Sequence, residues 1–517
     1  MRMNKQQLYY GDNLDIMRKH IPDESVDLCY IDPPFNSKRN YNQIYNKIGN
    51  EDTAQSIAFV DTWKWLSRTE KEYEEICLNR NGIFTKTTSD LIMGLEQILG
   101  KGSMLAYLVS MTLRINEIYR VLKPTGSFYL HCDSTTSHYL KIVLDAIFCG
   151  QGGEFKNEII WHYSGWNKKL KFGFEKRSDI IFFYSKGKKG IFNGYNIPWA
   201  DKNEYIKIRK QKLYKDENGE EYVLSDGGKG TRIRRYIKDA MEYGSPVDNV
   251  WEIDKINNSS KEYLGYPTQK PEALLERIIK ASSSEGDVVL DAFCGCGTTV
   301  AVAQRLGRQW IGIDITYQSI SLILKRLTDS YGKELIDKTV DVKGDPKDIN
   351  SAVALANKKD DRLRKEFEKW AIMTYSENTA MINTKKGKDY GIDGTFPIPE
   401  GGGKFRDILF SVKSGSVNSA MIRDFRGTIE RENAAAGIFI TLKKPTSDMI
   451  KEAAVAGFYN SDYVRDIEKI KIVTIEQILK HPGGERLDKR LSGLAADVLK
   501  KAEQARQITD DNQITIL

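Results

Sequence analysis

The segment Asp32-Pro33-Pro34-Phe35 closes a short apolar run, Val26 to Ile31. A carboxylate beside a proline carbonyl offers two acceptors for the N–H bonds of an amino group, and the neighbouring ring can stack on a flat partner. An amine conjugated to an aromatic ring is a poor nucleophile because its lone pair is delocalised into the ring. Acceptors that draw its N–H bonds favour a tetrahedral, reactive nitrogen. The two prolines end the strand and hold the backbone extended. About 260 residues later a second run, Val288-Val289-Leu290, ends at Asp291 and enters Ala292-Phe293-Cys294-Gly295-Cys296-Gly297-Thr298-Thr299. Gly295 and Gly297 allow a ligand close to the backbone, and Thr298 and Thr299 are placed to cap the next helix. Asp314 ends the following run, Trp310 to Ile313, where a carboxylate suits ribose hydroxyls. An acid at the start of the Gly-rich loop disfavours a phosphate and suits a cationic ligand.

These motifs need strands that end together. Short strands are expected at Leu8 to Asp12, Val26 to Ile31 and Ser127 to Leu130, with helices at Leu14 to His20, Leu105 to Leu122 and Tyr139 to Phe148. Phe59 to Gly100 is expected to be helical, and 36–58 to be a polar loop. The runs 158–163 and 179–184 predict paired strands, and Tyr266 to Ala281 predicts a helix leading into the Gly-rich loop. Strands alternating with helices imply an α/β, doubly wound, Rossmann-like parallel sheet with ligands at the carboxyl ends of its strands.

Composition narrows the class. With 517 residues, 29% charged and 40% hydrophobic, the chain is expected to be a soluble, multidomain globular protein. No apolar run is long enough for a membrane span, and the first residues lack the apolar core of a signal peptide. All six cysteines precede residue 297 without a disulfide framework, which suits a reducing cytoplasm. Cys294 and Cys296 lack a second ligand pair, so no metal is expected there. Between Gln151 and Gly265 there are 22 lysines and arginines against 17 aspartates and glutamates. Basic residues interleaved with aromatics suit phosphate neutralisation and stacking. The segment also carries the clusters Lys207, Arg209, Lys210, Lys212 and Arg232, Arg234, Arg235.

With the acid-Pro-Pro-Phe motif first and the Gly-rich loop second, residues 7–335 resemble the amino-methylating DNA methyltransferases of the permuted, beta-type order. The resemblance implies S-adenosylmethionine as cofactor, with its cationic amino-acid end near Asp291, Phe293, Gly295, Gly297 and Thr298. It also implies that Thr268-Gln269-Lys270-Pro271 helps hold the methionine end and that Asp12, after Gly11, lies near the adenine. From the residues alone, Thr268 and Pro271 also fit a helix start. Asp32, Pro33, Pro34 and Phe35 become the catalytic group, acting on a base extruded from the duplex. In this family Asp at the first motif position goes with adenine N6, and Ser with cytosine N4.

A separate mixed α/β domain is expected beyond Lys343. Residues 391–398 and 404–413 predict a strand pair that would bring Asp393 towards Lys413, with Ile408, Phe410 and Val412 on one face and Leu409, Ser411 and Lys413 on the other. An acid on one strand and Val-Lys on the next resembles restriction-endonuclease-like, Mrr-like nucleases, in which acids bind Mg²⁺. Glu366 or Glu368 would supply a further acid. Ser411 stands where that family has a second acid or Gln, which weakens a metal site at Asp393; Asp389 or Asp407 would have to compensate.

The expected organisation is 1–159 as the catalytic half of the methyltransferase domain, 160–262 as a target-recognition insert, 263–342 as the cofactor half, 343–485 as the nuclease-like domain, and 486–517 as a helix and tail. The leading expectation is an adenine-N6 methyltransferase acting on double-stranded DNA in a restriction-modification or related system. It would work in the prokaryotic cytoplasm near the nucleoid, as a homodimer or with restriction or defence subunits, and without a membrane partner. The alternatives are a cytosine-N4 enzyme, a combined methyltransferase-nuclease, a catalytically spent DNA-binding subunit, and methylation of RNA or a protein amide. The methyltransferase motifs all precede residue 345, so removal of the remainder is expected to spare methylation.

Overall fold

The computed structural model describes residues 6–35, 40–45, 54–60, 63–165, 172–257, 259–266, 268–357, 361–383, 391–401, 404–480, 484–488 and 491. Nine strands form one sheet. Their spatial order is Val250–Glu252, Glu154–His162, Ser178–Ser185, Leu122–Cys132, Val26–Ile31, Val288–Asp291, Gln309–Asp314, Gln6–Tyr10 and Val340–Lys343. All share one direction except Ser178–Ser185, which runs antiparallel to both neighbours.

The central strands are buried on both faces, so their sequences are nearly continuous apolar runs rather than alternating ones. Leu28 and Tyr30 join one core with Leu274 and Ile278. Cys29 and Ile31 join the other with Leu108 and Leu144. This two-sided burial is the doubly wound arrangement. Val26–Ile31 and Val288–Asp291 are parallel neighbours, with Leu28 opposite Val289 and Cys29 opposite Leu290. The two motifs therefore leave the sheet side by side despite their separation in the chain.

Several local expectations change. Across the loop expected at 36–58 and into the start of the helical stretch expected from Phe59, Asn40–Tyr45 and Ala54–Val60 pair as antiparallel strands. The expected helical stretch from Phe59 divides into two helices, Ser67–Leu78 and Lys86–Leu99, separated by Asn79 in the left-handed region. The helix before the Gly-rich loop starts at Glu272, with Pro271 as its N-cap, because Thr268 takes a φ of +68° that no helix allows. Residues 190–262, which lack periodicity, contain a compact unit. Leu213–Lys215, Glu221–Gly228 and Thr231–Tyr236 form an antiparallel sheet, with its own core of Trp199, Tyr205, Val223, Ile237 and Ala240.

The second domain has a five-stranded sheet ordered Met381–Ile382, Gly394–Gly401, Lys404–Lys413, Ala436–Thr441 and Ile470–Thr474. Its helix Asp361–Tyr375 packs on the helix Tyr317–Tyr331 of the first domain. One buried cluster runs through both, joining Tyr317, Ile320, Ile323 and Leu327 to Phe367, Trp370, Ile372 and Phe410. The terminal helix expected at 495–506 lies outside the described residues.

Candidate active site

A pocket opens at the carboxyl ends of Val26–Ile31, Val288–Asp291 and Gln309–Asp314, three adjacent strands. Asp32, Pro33, Pro34 and Phe35 come from the first strand, Asp291, Phe293, Gly295 and Thr298 from the second, and Asp314 from the third. Thr268, Gln269 and Lys270 complete the wall. Sequence reasoning placed each of these at the site, and the fold brings them together.

Asp32 has two different oxygens. Its Oδ2 is ion-paired with Lys270 Nζ. Its Oδ1 is buried and has no hydrogen-bond partner. Lys270 also donates to the Thr268 carbonyl at 3.3 Å and lies 5.7 Å from the Phe35 ring centre. Phe35 stacks on His131 at 5.9 Å and 29°. His131 Nδ1 is 3.0 Å from the Tyr30 hydroxyl, and Nε2 is 3.6 Å from Asp179, beyond hydrogen-bond reach. Burial holds the His131 imidazole below its ordinary value, with Lys270 adding to the effect, so the ring is neutral. Burial opposes ionisation of Asp179, but the nearby ammonium groups of Lys270 and Lys176 outweigh it and hold the carboxyl below the usual range.

The Gly-rich loop is tied to the acids around it. Asp291 accepts from the Thr299 hydroxyl at 2.6 Å and from the Phe293 N–H at 3.0 Å. Thr299 thus braces Asp291, and the following helix has Gly297 as N-cap without a side-chain cap. Burial pushes the Asp291 carboxyl up to about 7, against those hydrogen bonds, with Asp32 and Asp314 adding to the rise. Burial also raises Asp314, which accepts from Gly295 N–H at 2.9 Å and from Thr316 N–H at 2.9 Å. Gly295 has a φ of +49°, and a Cβ there would lie 3.3 Å from the Tyr266 ring.

Two expected residues lie outside the pocket lining. Asp12 caps the Asn13–His20 helix through Leu14 N–H at 2.9 Å and pairs with Arg114 and Arg68. Burial works against its charge, and the two guanidiniums prevail, holding the carboxyl below the usual range. Gly297 has a φ of +76°, and its missing Cβ leaves room for Ile323, 2.6 Å from where that atom would stand. Its glycine serves the packing of the Tyr317–Tyr331 helix.

Tyr266, which lines the pocket, and His131, which stacks on Phe35, were missed. His131 directly follows the Ser127 to Leu130 run, so the strand-end rule that found Asp32 also reaches it. Nothing local marks Tyr266, which sits in a loop.

Asp32, Asp291 and Asp314 face a pocket whose only lining cation among the described residues is Lys270. Three carboxylates, one with an orphaned buried oxygen, fit a cationic ligand and an N–H donor.

The second sheet is different. Asp393 Oδ2 accepts from Val412 N–H at 2.7 Å, and Lys413 Nζ lies 3.9 Å away. Ser411 is buried. Glu366 accepts from Tyr317 N–H at 2.8 Å and pairs with Lys369, rather than approaching Asp393 as a metal acid. Among the described residues no group of three His, Cys, Asp or Glu could hold a metal ion, so a Mg²⁺ site at Asp393 is not supported. Asp389 lies outside the described residues.

A family model described as DNA methylase matches residues 26–325. A second, described as NACHT-associated inactive Restriction Endonuclease 1, matches residues 363–479. The type II methyltransferase M2.LlaDCHI of Lactococcus lactis subsp. cremoris is 48% identical over 322 residues, covering 62% of this chain and 88% of that protein. The DNA adenine methyltransferase YhdJ of Escherichia coli K12 is 29% identical over 322 residues, covering 62% of this chain and 82% of that protein. Among solved structures, M1.HpyAVI in complex with SAM is 17% identical with a TM-score of 0.32, covering 62% of this chain and 99% of that one.

Proposed function

The chain belongs to the DNA methylase family, and from that premise we propose that it methylates adenine N6 in duplex DNA with S-adenosylmethionine as donor. The observation that carries the reading is the orphaned Oδ1 of Asp32, a residue that lines the same pocket as Phe35, Asp291 and Asp314. Asp32 in the first motif position and the name of the E. coli relative favour adenine. The order of the two motifs in the chain supports the permuted, beta-type subclass.

When bound, S-adenosylmethionine supplies an electrophilic methyl group on a sulfonium. The rest of the chemistry falls to this chain. Asp32 Oδ1 accepts one N–H of the target amine, and the Pro33 carbonyl accepts the other. Lys270 holds Asp32 in place. Phe35, backed by the neutral His131, stacks on the extruded base. Asp291 and Asp314 accept from the polar ends of the donor, and Thr268, Gln269, Gly295 and Thr298 shape the space around it. Proximity of methyl group and amine then supplies much of the rate.

In this reading 1–159 and 263–342 form the methyltransferase domain, and 160–262 reads the target sequence. The small sheet with Arg232, Arg234 and Arg235 on an exposed strand supports that role. The domain at 343–485 is restriction-endonuclease-like and does not cut DNA, in keeping with Ser411 and with the matched model's description. A DNA substrate and bacterial relatives favour a prokaryotic, nucleoid-facing location.

The test is to incubate duplex DNA with labelled S-adenosylmethionine and the full chain, then analyse nucleosides and map the modified positions. N6-methyladenine at a defined sequence is expected. N4-methylcytosine would correct the base, and no labelling of DNA would overturn the reading.

A further inference from the structure

The helix Tyr317–Tyr331 has one side on the pocket and the other on the second domain. On the pocket side it makes four approaches. Asp314, Ile315 and Thr316, which lead into its first turn, line the pocket wall. The Ser319 hydroxyl is 3.4 Å from that of Tyr266. Ile323 fills the space left by Gly297. Arg326 reaches the Cys296 carbonyl at 3.5 Å. On the other side the second domain grips the same first turn. Glu366 Oε2 accepts from Tyr317 N–H at 2.8 Å, and Lys369 holds Oε1 at 2.7 Å. The Tyr317 hydroxyl is 3.3 Å from that of Thr374. Glu366 is only 6% exposed, and Phe367 and Trp370 beside it belong to the shared core.

A first-turn N–H has no partner within its own helix, and a carboxylate there is favoured by the helix dipole. Glu366 meets both needs from a different domain. We propose that Glu366 is a positioning residue for the cofactor pocket, and that docking of the restriction-endonuclease-like domain and occupancy of that pocket are coupled through the Tyr317–Tyr331 helix. The matched endonuclease-like fold then has an intramolecular role in this chain: it braces the methyltransferase. Glu366, a candidate metal acid by sequence, is committed to the interface.

The coupling follows from the geometry. Asp314 Oδ1 is bonded to Thr316 N–H while its Oδ2 holds Gly295 N–H. A shift of the first turn therefore moves the acid and the Gly-rich loop together. Coupling is reciprocal, so a ligand that orders Asp314 and Gly295 also stabilises the grip of Glu366 on Tyr317.

This inference rests on the pocket being the S-adenosylmethionine site, and the test separates the two. Hydrogen exchange is followed in the full wild-type chain with and without S-adenosylhomocysteine. Slower exchange is expected at 293–299 and 314–319, and also at 365–375, which no ligand in the pocket touches. Protection that stops at the pocket segments would overturn the coupling. Calorimetry on Glu366→Ala should show about tenfold weaker binding of S-adenosylhomocysteine, within the usual range of coupling between sites. Glu366→Gln keeps an oxygen acceptor and should fall between Ala and wild type. In turnover, the KM for S-adenosylmethionine should rise by more than kcat falls. Wild-type affinity in a folded Glu366→Ala chain would overturn the proposal. If the wild type binds no ligand, the cofactor reading fails. Unliganded exchange at 314–319 in Glu366→Gln, faster than wild type or unchanged, then still decides for or against the brace.

Discussion

Two strand ends in this molecule pair an aspartate with a lysine, and they treat the aspartate in opposite ways. At the carboxyl end of a central strand of the large sheet, Lys270 holds one oxygen of Asp32 and the other is left buried and unpartnered. In the small sheet, Asp393 is bonded to the Val412 amide at 2.7 Å and Lys413 stands back at 3.9 Å. An unsatisfied buried acceptor costs stability, so a fold keeps one where a substrate will supply the missing donor. At Asp393 the Val412 amide already supplies it. The similar residue pairs therefore predict different chemistry.

The largest expected effect comes from removing the first acid. Asp32→Ala should lower single-turnover methylation by about two to three orders of magnitude, the scale for losing a positioned hydrogen-bond partner in a transition state. Binding of S-adenosylhomocysteine, measured by calorimetry, should survive. Normal methylation by this variant would erase the distinction between the two sites.

Truncation after residue 345 sharpens the contrast at the level of whole domains. The sequence suggests that methylation survives this cut. The continuous core argues the reverse, because Tyr317, Ile320 and Leu327 pack in one cluster with Phe367 and Trp370. Exposing large apolar side chains costs about 1.5–3 kcal/mol each, so thermal unfolding of the truncated chain should show severe destabilisation. A soluble, active, equally stable fragment would mean that the two domains are independent after all.

Asp291 gives a smaller, graded effect. Its carboxyl sits at about 7 in the free pocket, and a cationic ligand lowers that value. The liganded state then holds fewer protons, so affinity should rise as pH increases through about 7 and flatten above it. The gain should be about tenfold for each unit by which binding lowers the pKa. Calorimetry across the unit either side of that value measures it, and Asp291→Asn should remove the slope. A slope that persists in Asp291→Asn would place the linked proton elsewhere.

The smallest expected effect is at the small sheet. Lys413→Ala should leave methylation unchanged, and neither chain should cut unmodified DNA with Mg²⁺ or Mn²⁺. Robust cutting that this substitution abolishes would make the two sites equals.

What the sequence reveals follows from how each feature is encoded. The central strands are legible because burial on both faces writes them as apolar runs, and the motifs are legible because they end those runs. The strand alternation around Phe410 also holds, with Ile408, Phe410 and Val412 in one core and Leu409 in another. The small sheet in the insert is hidden because Thr231–Tyr236 is exposed along nearly its whole length, so no face is written in apolar residues. Tyr266 and the roles of Gly297 and Glu366 are contacts between distant segments. A lone tyrosine, glycine or glutamate carries no local mark of its partner. Asp12 misleads for a related reason, since an acid after a strand-end glycine serves a helix cap as readily as a ligand.

The first strand, Gln6–Tyr10, lies between Gln309–Asp314 and Val340–Lys343 and is bonded to both. During synthesis the ribosome releases it more than 300 residues before either neighbour. It must wait unpaired while the rest of the sheet is made, and such long-range pairing is slow to form. The helix over the pocket then needs Phe367 and Trp370, which emerge later still. A nascent chain thus has its Asp-Pro-Pro-Phe motif early but no finished site until well past residue 370. An interrupted translation product would carry the catalytic sequence without the finished site.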